Sequence, residues 1–317
     1  MKIRDLQMLL TWIVFIVASN QATAQYGVFT REDIITFTQE WVGERLPDGR
    51  PKVPDEIMKR MKNVVFEEAW AAMVRHGYAN QFEGDWQTTH DRPVLVGRAL
   101  TAKYMPYRPD VQKINMTRGE HDGMVGNFQS LAISVMEPGD VFVADTMGRI
   151  VDAPIFGDNL ANAILFHGGR GAVFNGSSRD LEGLRKSLPD DFEVFAKGWD
   201  PSFNRVEGAM GMMGMGINCP ISIGRAIVMP GDIVLAKDTG VIFIPAHLAE
   251  EVVDTSEIIQ IRDRFGHQRL REGTYTPGQI DAVWTDAIMK DFEQWMKGQG
   301  SAITPRQRKL LLEGRTF

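Results

Sequence analysis

Two short polar segments in the middle of the chain carry residue types that could act on a small carboxylic acid. Residues 157–160 are Gly-Asp-Asn-Leu, and residues 175–180 are Asn-Gly-Ser-Ser-Arg-Asp. Between them, residues 160–167 predict a short helix that ends at a Gly-Gly pair, and residues 171–174 predict a buried strand. Such a helix of about nine residues and a returning strand of roughly four cover similar distances, about 13 Å each. The sequence therefore predicts that the two polar segments meet in space.

The residue types in these segments suit metal-assisted chemistry. The first turn of a helix leaves backbone N–H groups with a partial positive charge, which favours binding of a carboxylate. Gly157 would let a ligand approach these groups closely. Arg179 offers a planar fork for a carboxylate or enolate oxygen, and Asp180 offers the hard oxygen that Mg²⁺ prefers. We therefore predict a site in which an arginine and a divalent cation act on one small acid.

Each motif also has a purely structural interpretation. Asp158 could be only a helix N-cap, residues 175–176 only a turn, and the Arg179-Asp180 pair only a surface ion pair. Taken one at a time, the structural interpretation is favoured. The spacing of twenty residues between Asp158 and Arg179 is what favours a functional site.

The same residues resemble those of the RraA-like family, which includes the class II 4-hydroxy-4-methyl-2-oxoglutarate and 4-carboxy-4-hydroxy-2-oxoadipate aldolases. The similarity spans roughly residues 55–255. An Asp, twenty residues and then Arg-Asp is the pattern that distinguishes the aldolase members from the ribonuclease-regulating ones. The matching motifs are GRALTA at 97–102, PGDVFVAD at 138–145, GDNLA at 157–161, NGSSRD at 175–180, PGD at 230–232, DTGV at 238–241 and IP at 244–245.

The resemblance implies a role for each site residue. Gly157, Asp158, Asn159 and Leu160 would bind the substrate through backbone N–H groups. Arg179 would hold the substrate carboxylate and act in catalysis. Asp180 would hold Mg²⁺ or Mn²⁺, and Asp158 would act in catalysis by orienting a water molecule on that metal. The family usually has Asp where this chain has Asn175, which weakens any role for a second acid at that position.

The resemblance also implies the fold and assembly. The expected fold class is α/β, as a layered α/β/β/α sandwich of the swivelling-domain type, with extra C-terminal helices. Family members form rings of three or stacked pairs of rings, so a homotrimer or homohexamer is expected, with sites near the subunit boundaries. The domain interpretation is a signal peptide at 1–24, an RraA-like domain at 25–255 and a helical extension at 256–317.

Composition agrees with an ordinary folded enzyme. The chain has 317 residues, of which 44% are hydrophobic and 24% charged, so it can bury a full core. A net charge of −6 argues against nucleic-acid binding through a broad basic face. Cys219 is the only cysteine, so no intramolecular disulfide can form, and we expect its side chain to be buried.

The N-terminus has the pattern of a secretory signal. Lys2 and Arg4 precede an apolar run at 8–18, which is followed by the small-residue site Ala-Thr-Ala at 22–24. The apolar run is too short to span a bilayer comfortably, so cleavage near Ala24 and no stable membrane span are expected. The mature protein would then be periplasmic or secreted. An uncleaved anchor or a buried helix is the alternative.

Several element predictions frame the site. Residues 55–76 predict one amphipathic helix ending at Gly77, and residues 132–244 alternate short helices and strands, as α/β proteins do. Residues 107–126 predict a solvated loop, because no second ligand cluster supports a metal site at Glu120-His121-Asp122. Residues 208–216 predict a close-packed loop, with a subunit contact as an option. Thr276 predicts a capping box, followed by one apolar stripe from 280 to 295.

These patterns together predict a retro-aldol lyase. The expected substrate is a 4-hydroxy-2-oxo diacid, cleavage of which releases pyruvate through an enolate, and oxaloacetate decarboxylation is a further expected activity of the same site. Two alternatives stay open. An exported member of the family could act on another hydroxy acid or a sugar acid, or the protein could be a non-catalytic binding or regulatory module.

Overall fold

The computed structural model describes residues 28–121, 123–202 and 211–313, which build a mixed sheet with helices on one face and a small hairpin on the other. The predicted signal peptide at 1–24, with its cleavage near Ala24, lies outside the described residues and stays a prediction. Within the described ranges, no helix is long and apolar enough to cross a bilayer.

Nine strands form the main sheet, in the order β1-β11-β10-β3-β4-β5-β6-β2, with β7 pairing to β3. The four strands from β3 to β6 run parallel to one another, and the other pairs are antiparallel. Strands β8 and β9 form a separate hairpin. The strands are β1 (Phe82–Glu83), β2 (Gln87–Thr88), β3 (Val94–Pro106), β4 (Asp140–Arg149), β5 (Gly171–Ser178), β6 (Glu193–Trp199), β7 (Met212–Ile217), β8 (Ile221–Ile223), β9 (Ala226–Val228), β10 (Ile233–Lys237) and β11 (Gly240–Ile244).

The helices cover one face of this sheet and form the C-terminal extension. They are α1 (Arg31–Phe37), α2 (Asp55–Met61), α3 (Phe66–Val74), α4 (Pro109–His121), α5 (Phe128–Ser134), α6 (Asp158–Phe166), α7 (Leu181–Ser187), α8 (Ala249–Arg271), α9 (Pro277–Asp281), α10 (Asp286–Gly298) and α11 (Pro305–Leu312). Short 3₁₀ turns lie at Ala246–Leu248 and Gly300–Ala302.

Alternation along the central strands divides the core into two layers. In β4, Phe142 packs with residues of α5, α6 and α7, whereas Val141 and Val143 pack with the β8–β9 hairpin. Successive strand residues point to opposite faces, so one strand supplies both layers. The predicted α/β class is confirmed, and Cys219 is buried as predicted.

The single helix predicted over 55–76 is wrong, because α2 and α3 are separated at residues 62–65. At the break, the carbonyl of Val64 accepts a hydrogen bond from Lys237 Nζ at 2.7 Å. The N–H of Val65 donates to Ser256 Oγ at 3.2 Å. These contacts with distant parts of the chain take the backbone groups that a continuous helix would need.

Two predicted loops are also regular structure. Residues 109–121 form α4, which is held by a hydrogen bond from Asn115 Nδ2 to the Gly214 carbonyl at 3.0 Å. Residues 212–217 form β7, which pairs with β3 and packs against the ring of Phe128 at Gly214. The polar composition of the first segment and the glycine-rich composition of the second predicted loops, because contacts with distant residues stabilise both elements.

The C-terminal extension packs on its own chain. Helix α8 runs without a break across the predicted domain boundary at residue 255. The capping box between Thr276 and Gln279 is confirmed, but the predicted single stripe is interrupted between α9 and α10. Phe292 and Trp295 of α10 pack against Phe265 of α8.

A buried ion-pair cluster attaches the N-terminal segment to the sheet. Arg50 is fully buried, and its Nη1 lies 2.8 Å from Asp140 Oδ2. Its Nε also lies 2.6 Å from Asp48 Oδ2. Arg98 contacts the other Asp140 oxygen at 2.9 Å. Because two cations face this buried carboxylate, the first Pro-Gly-Asp turn, at 138–140, is electrostatically compensated.

In the second Pro-Gly-Asp turn, at 230–232, the aspartate side chain also accepts a backbone N–H, but no arginine in the described ranges neutralises its charge. Asp232 Oδ2 accepts the Met229 N–H at 2.8 Å, as Asp140 Oδ2 accepts the Glu137 N–H at 2.8 Å. No salt bridge joins Asp232 to any residue in the described part of the chain. Burial therefore raises the pKa of Asp232 to about 7.

Replacing Arg50 with Met should lower the free energy of unfolding by about 3–5 kcal/mol, because the buried Asp140 carboxylate would lose one of its two cations. Denaturant unfolding measures the change. Lys52→Met is the matched control, since the Lys52–Glu44 pair is exposed and its loss should cost less than about 1 kcal/mol. Equal losses in the two variants would show that Arg50 contributes no more than a surface charge.

Replacing Asp232 with Asn should remove a pH dependence of stability. Because the folded pKa is raised, the contribution of Asp232 is fully present below about pH 4 and is lost as the pH rises through about 7. The variant should therefore exceed the wild type in stability near pH 8, by up to about 4 kcal/mol, since one pKa unit corresponds to about 1.4 kcal/mol. Denaturation at about pH 5 and pH 8 checks this, with the exposed Asp190→Asn as control. An unchanged pH profile would contradict it.

Candidate functional site

The two polar segments predicted to meet do lie side by side. The predicted helix is α6 and the predicted strand is β5, which is longer than expected. At the carboxyl end of β5, the Arg179 N–H donates to the Phe156 carbonyl at 3.2 Å, and Ser178 Oγ donates to the same oxygen at 3.3 Å. These bonds hold the start of α6 against the β5–α7 junction.

Glycines make the contact between the segments close on both sides. A Cβ placed on Gly157 would lie 2.2 Å from Asp180 Oδ2 and 3.1 Å from Arg179 Nε. A Cβ placed on Gly183 would lie 2.5 Å from Asp158 Oδ2. The Asp180 carboxylate thus lies against the start of α6, and the Asp158 carboxylate lies against the first turn of α7. Backbone N–H groups at both places carry a partial positive charge.

Asp180 has an unusual backbone conformation. Its φ of 60° and ψ of 36° lie in the left-handed region, which residues other than glycine occupy infrequently. Such conformations concentrate at functional sites. The Asp180 side chain is 40% exposed and that of Arg179 is 33% exposed, so a ligand can reach both. Arg179 Nε and Asp180 Oδ2 lie 3.2 Å apart, which agrees with the ion-pair interpretation as well as the site interpretation.

A cavity of about 310 Å³ opens beside this junction. Of the predicted site residues, Gly157, Asn159, Leu160 and Arg179 line it, and Asp158 and Asp180 do not. The remaining wall comes from the start of α5 and from the segment before α6, with lining residues Asn127, Gln129, Ser130, Pro154, Ile155 and Phe156.

Two of the purely structural interpretations are wrong. Gly157, rather than Asp158, is the N-cap residue of α6, and Asp158 Oδ1 accepts the N–H of Asn159 at 2.8 Å. Asn175 and Gly176 lie inside β5 and are not a turn.

The structure gives Asn175 a hydrogen-bonding role that an aspartate could not fill. Its Nδ2 donates to Asp145 Oδ1 at 3.0 Å, and the Asp145 carboxylate is buried. Lys103 Nζ contacts the other Asp145 oxygen at 3.1 Å. An aspartate at 175 could not donate this bond and would place a second carboxylate beside a buried one. The amide therefore belongs to this neighbouring cluster.

The wall formed by Asn127, Gln129 and Ser130 was missed by the sequence prediction. Asn127 is at the N-cap position of α5, yet its side chain makes no capping hydrogen bond. An Asn before the apolar run 128–134 was a usable signal for the helix. Nothing in the sequence, however, indicated that this helix start would face Arg179.

The donor set at the junction fits a hard divalent cation. Across the part of the chain that the structure describes, no group of three or more His, Cys, Asp or Glu residues could hold a metal ion. An ion here would rest on Asp180, with Asp158 nearby and water filling other positions, which is ordinary for Mg²⁺ and suits Mn²⁺. The Gly157 cradle leaves the Asp180 carboxylate room that any larger residue would fill. The predicted metal role of Asp180 stays a prediction, as does the Glu120-His121-Asp122 alternative, of which residue 122 lies outside the described residues.

Comparison with known sequences finds two informative relatives. A protein of Halalkalibacterium halodurans named "Putative 4-hydroxy-4-methyl-2-oxoglutarate aldolase" is 29% identical over 165 residues, which cover 52% of this chain and 74% of that protein. Protein DlpA of Legionella pneumophila is 29% identical over 171 residues, or 53% of this chain. This chain matches only 24% of the length of DlpA.

Comparison with solved structures finds the same fold. The RraAS2 protein of Streptomyces coelicolor, an unusual member of the RNase ES inhibitor RraA family, superposes with a TM-score of 0.58 at 22% identity, covering 69% of this chain and all of that one. An uncharacterised Pseudomonas syringae protein gives a TM-score of 0.56 at 18% identity, covering 75% and 99%. The sequence model of the RraA-like family, described as Aldolase/RraA, matches residues 63–243, more than half of the chain. The chain therefore belongs to the RraA-like family.

Proposed function

We propose that this protein is a divalent-metal-dependent lyase that cleaves a 4-hydroxy-2-oxo diacid by a retro-aldol reaction and releases pyruvate. The observation that carries the proposal is the close approach of the Asp180 carboxylate and the Arg179 guanidinium to Gly157, at the N-terminus of α6. The Halalkalibacterium relative, by its name, supports aldolase chemistry at the level of the family.

The chain's own groups can bind and orient such a substrate. The N–H of Asn159 is donated to Asp158 Oδ1, so the first-turn N–H groups of residues 158 and 160 are the ones proposed to favour a carboxylate. The cavity beside them is lined by Asn159 and Leu160. Arg179 lines the same cavity, so its guanidinium can stabilise the negative charge that develops on the 2-oxo oxygen as the carbon–carbon bond breaks. A Mg²⁺ or Mn²⁺ ion held by Asp180 would supply Lewis-acid stabilisation of the same charge.

The reaction also moves two protons. The 4-hydroxyl loses a proton as the bond between C3 and C4 breaks, the electron pair passes to the enolate of pyruvate, and C3 then gains a proton to become the methyl group. Asp158 is the proposed acid–base group. Its side chain does not line the cavity, so it would act through a water molecule, and no histidine lines the described cavity wall. Loss of CO₂ from oxaloacetate gives the same enolate, so the site should also support that decarboxylation.

A sugar acid or another hydroxy acid is the second candidate substrate. The observation that favours it is the neutral polar wall of Asn127, Gln129 and Ser130, which suits hydroxyl groups. Within the described lining, Arg179 is the only cation, so a second carboxylate would have no second arginine or lysine there. A homotrimer or homohexamer and an exported location complete the proposal.

Replacing Asp180 with Asn, or Arg179 with Lys, should lower kcat/KM by about 10²-fold or more. The first change removes the negative charge proposed to hold the metal ion, and the second removes the planar guanidinium proposed to stabilise the enolate. Asn tolerates the left-handed backbone at 180, so the fold should be kept. Pyruvate release from 4-hydroxy-4-methyl-2-oxoglutarate with Mg²⁺, and its loss with EDTA, provide the measurement. A six-carbon 2-oxo sugar acid in the same assay distinguishes the two substrate classes. Full activity in either variant would refute the lyase proposal, and no turnover on any 2-oxo acid would favour the binding module.

Replacing Gly157 with Ala should lower kcat by roughly 10- to 100-fold, because the new methyl group must displace the Asp180 carboxylate and small misplacements are costly. The backbone of Gly157 is extended, so alanine adds steric conflict without backbone strain. Gly278→Ala is the matched control, since a Cβ there meets nothing within 4 Å. Steady-state kinetics, with thermal melting as a check of folding, test the prediction. Equal activity in the two variants would show that this close contact is not needed.

A further inference from the structure

A second cleft, of about 490 Å³, lies away from the candidate active site and shares no lining residue with it. One wall is the N-terminal segment 37–41, which precedes the family match at 63–243. The facing walls are residues 77–81, the end of β9 with residue 232, and residues 245–247. The cleft is thus formed where sequence outside the family match packs on the family domain.

The floor of this cleft contains a buried carboxylate with an unused oxygen. Asp232 is only 5% exposed, and its Oδ2 accepts the Met229 N–H. Its other oxygen makes no hydrogen bond or salt bridge to a residue in the described ranges, and it is not fully enclosed, so it can be reached from the cleft. The equivalent Asp140 has two arginines in this position. An unpaired buried carboxylate is costly, so a cation supplied by a ligand would be strongly favoured here.

Tyr78, His247 and Glu40 are among the other polar residues that line the cleft. The Tyr78 and His247 rings have centroids 6.0 Å apart. Burial raises the pKa of Tyr78, and the charges of Asp232 and Glu40 raise it further. Burial lowers the pKa of His247, against the opposing effect of Glu40, so His247 is neutral near pH 7. Glu40 therefore acts on both rings, and Asp232 acts on Tyr78.

The remaining groups set the shape and charge of the cleft. Trp41 and Phe37 add aromatic faces, and the indole N–H of Trp41 is already donated to the Glu44 carbonyl at 2.8 Å. Arg225 is exposed and contacts Glu83 at 3.4 Å. The cleft thus combines the Glu40 and Asp232 carboxylates with aromatic surfaces, an arrangement that attracts organic cations, while the one arginine in its described lining is paired with Glu83.

A bare metal ion is a poor match for this cleft. No group of three or more His, Cys, Asp or Glu residues suited to a metal occurs in the part of the chain described. We propose that the cleft binds a small organic ammonium ion, whose N–H groups are donated to Asp232 and Glu40 while its aliphatic part packs on Tyr78 and Trp41. The cavity volume is in the usual range for small-molecule sites. This site is independent of the proposed lyase activity.

Titration calorimetry of the full chain with 1,4-diaminobutane tests the proposal, with 1,4-butanediol as the uncharged probe of the same length. At about pH 8 the diamine should bind at least about 10-fold more tightly than the diol. Asp232→Asn should weaken diamine binding by about 10-fold or more, and Tyr78→Phe, which keeps the ring, should weaken it less. Asp190→Asn removes one exposed carboxylate and should leave affinity within about 2-fold.

The pH dependence provides a second readout. Diamine affinity should fall from about pH 8 to pH 6 as Asp232 takes up a proton, and Asp232→Asn should lose most of that dependence. Glu40, Tyr78, His247 and Arg225 are the other titratable groups of the cleft. Protonation of His247 would also repel the diamine at low pH, so His247→Gln separates the two contributions.

Each remaining outcome argues against the site. Equal affinity for diamine and diol would show that charge is not recognised. Unchanged diamine affinity in Asp232→Asn would show that the amine binds at another site. An equal loss of affinity in Asp190→Asn would show that the diamine is attracted by the overall negative charge of the protein. Pyruvate release is measured separately, so failure here leaves the lyase proposal untouched and the reverse also holds.

Discussion

The parallel pairing of β4, β5 and β6 is the constraint on which the candidate site depends. Because these strands run in the same direction, the chain leaves β4 and β5 at one edge, where α6 and α7 begin next to each other. The two helix starts can approach only because Gly157 and Gly183 have no side chain. The Asp158 and Asp180 carboxylates and the Arg179 guanidinium then lie near this junction, and residues 154–156 of the segment between β4 and α6 complete the cavity wall.

The contact between the two polar segments was predictable from sequence because its parts are local. A helix and the strand that runs back beside it bring Asp158 and Arg179 together within about twenty residues, although β5 is longer than the predicted strand. The fold class followed from alternating elements and from resemblance to the RraA-like family. The cap signal at Thr276 was also reliable, because the bonds involved join residues three apart.

Features that depend on distant contacts could not be predicted in this way. Helix α4 and strand β7 have polar or glycine-rich sequences and form because they bond each other and β3. The break between α2 and α3 is set by Lys237 and Ser256, far along the chain. The burial of Arg50 against Asp140 likewise joins residues ninety positions apart, so no window of local sequence contains it.

The left-handed backbone at residue 180 limits how this protein can diverge. Only glycine, asparagine and aspartate occupy that conformation readily, so most single replacements would strain the turn whatever their chemistry. A lineage that no longer needed a carboxylate there would accumulate asparagine or glycine at this position. A change of Asp180 to asparagine or glycine would therefore remove the carboxylate and keep the turn, so the fold alone would not oppose that substitution.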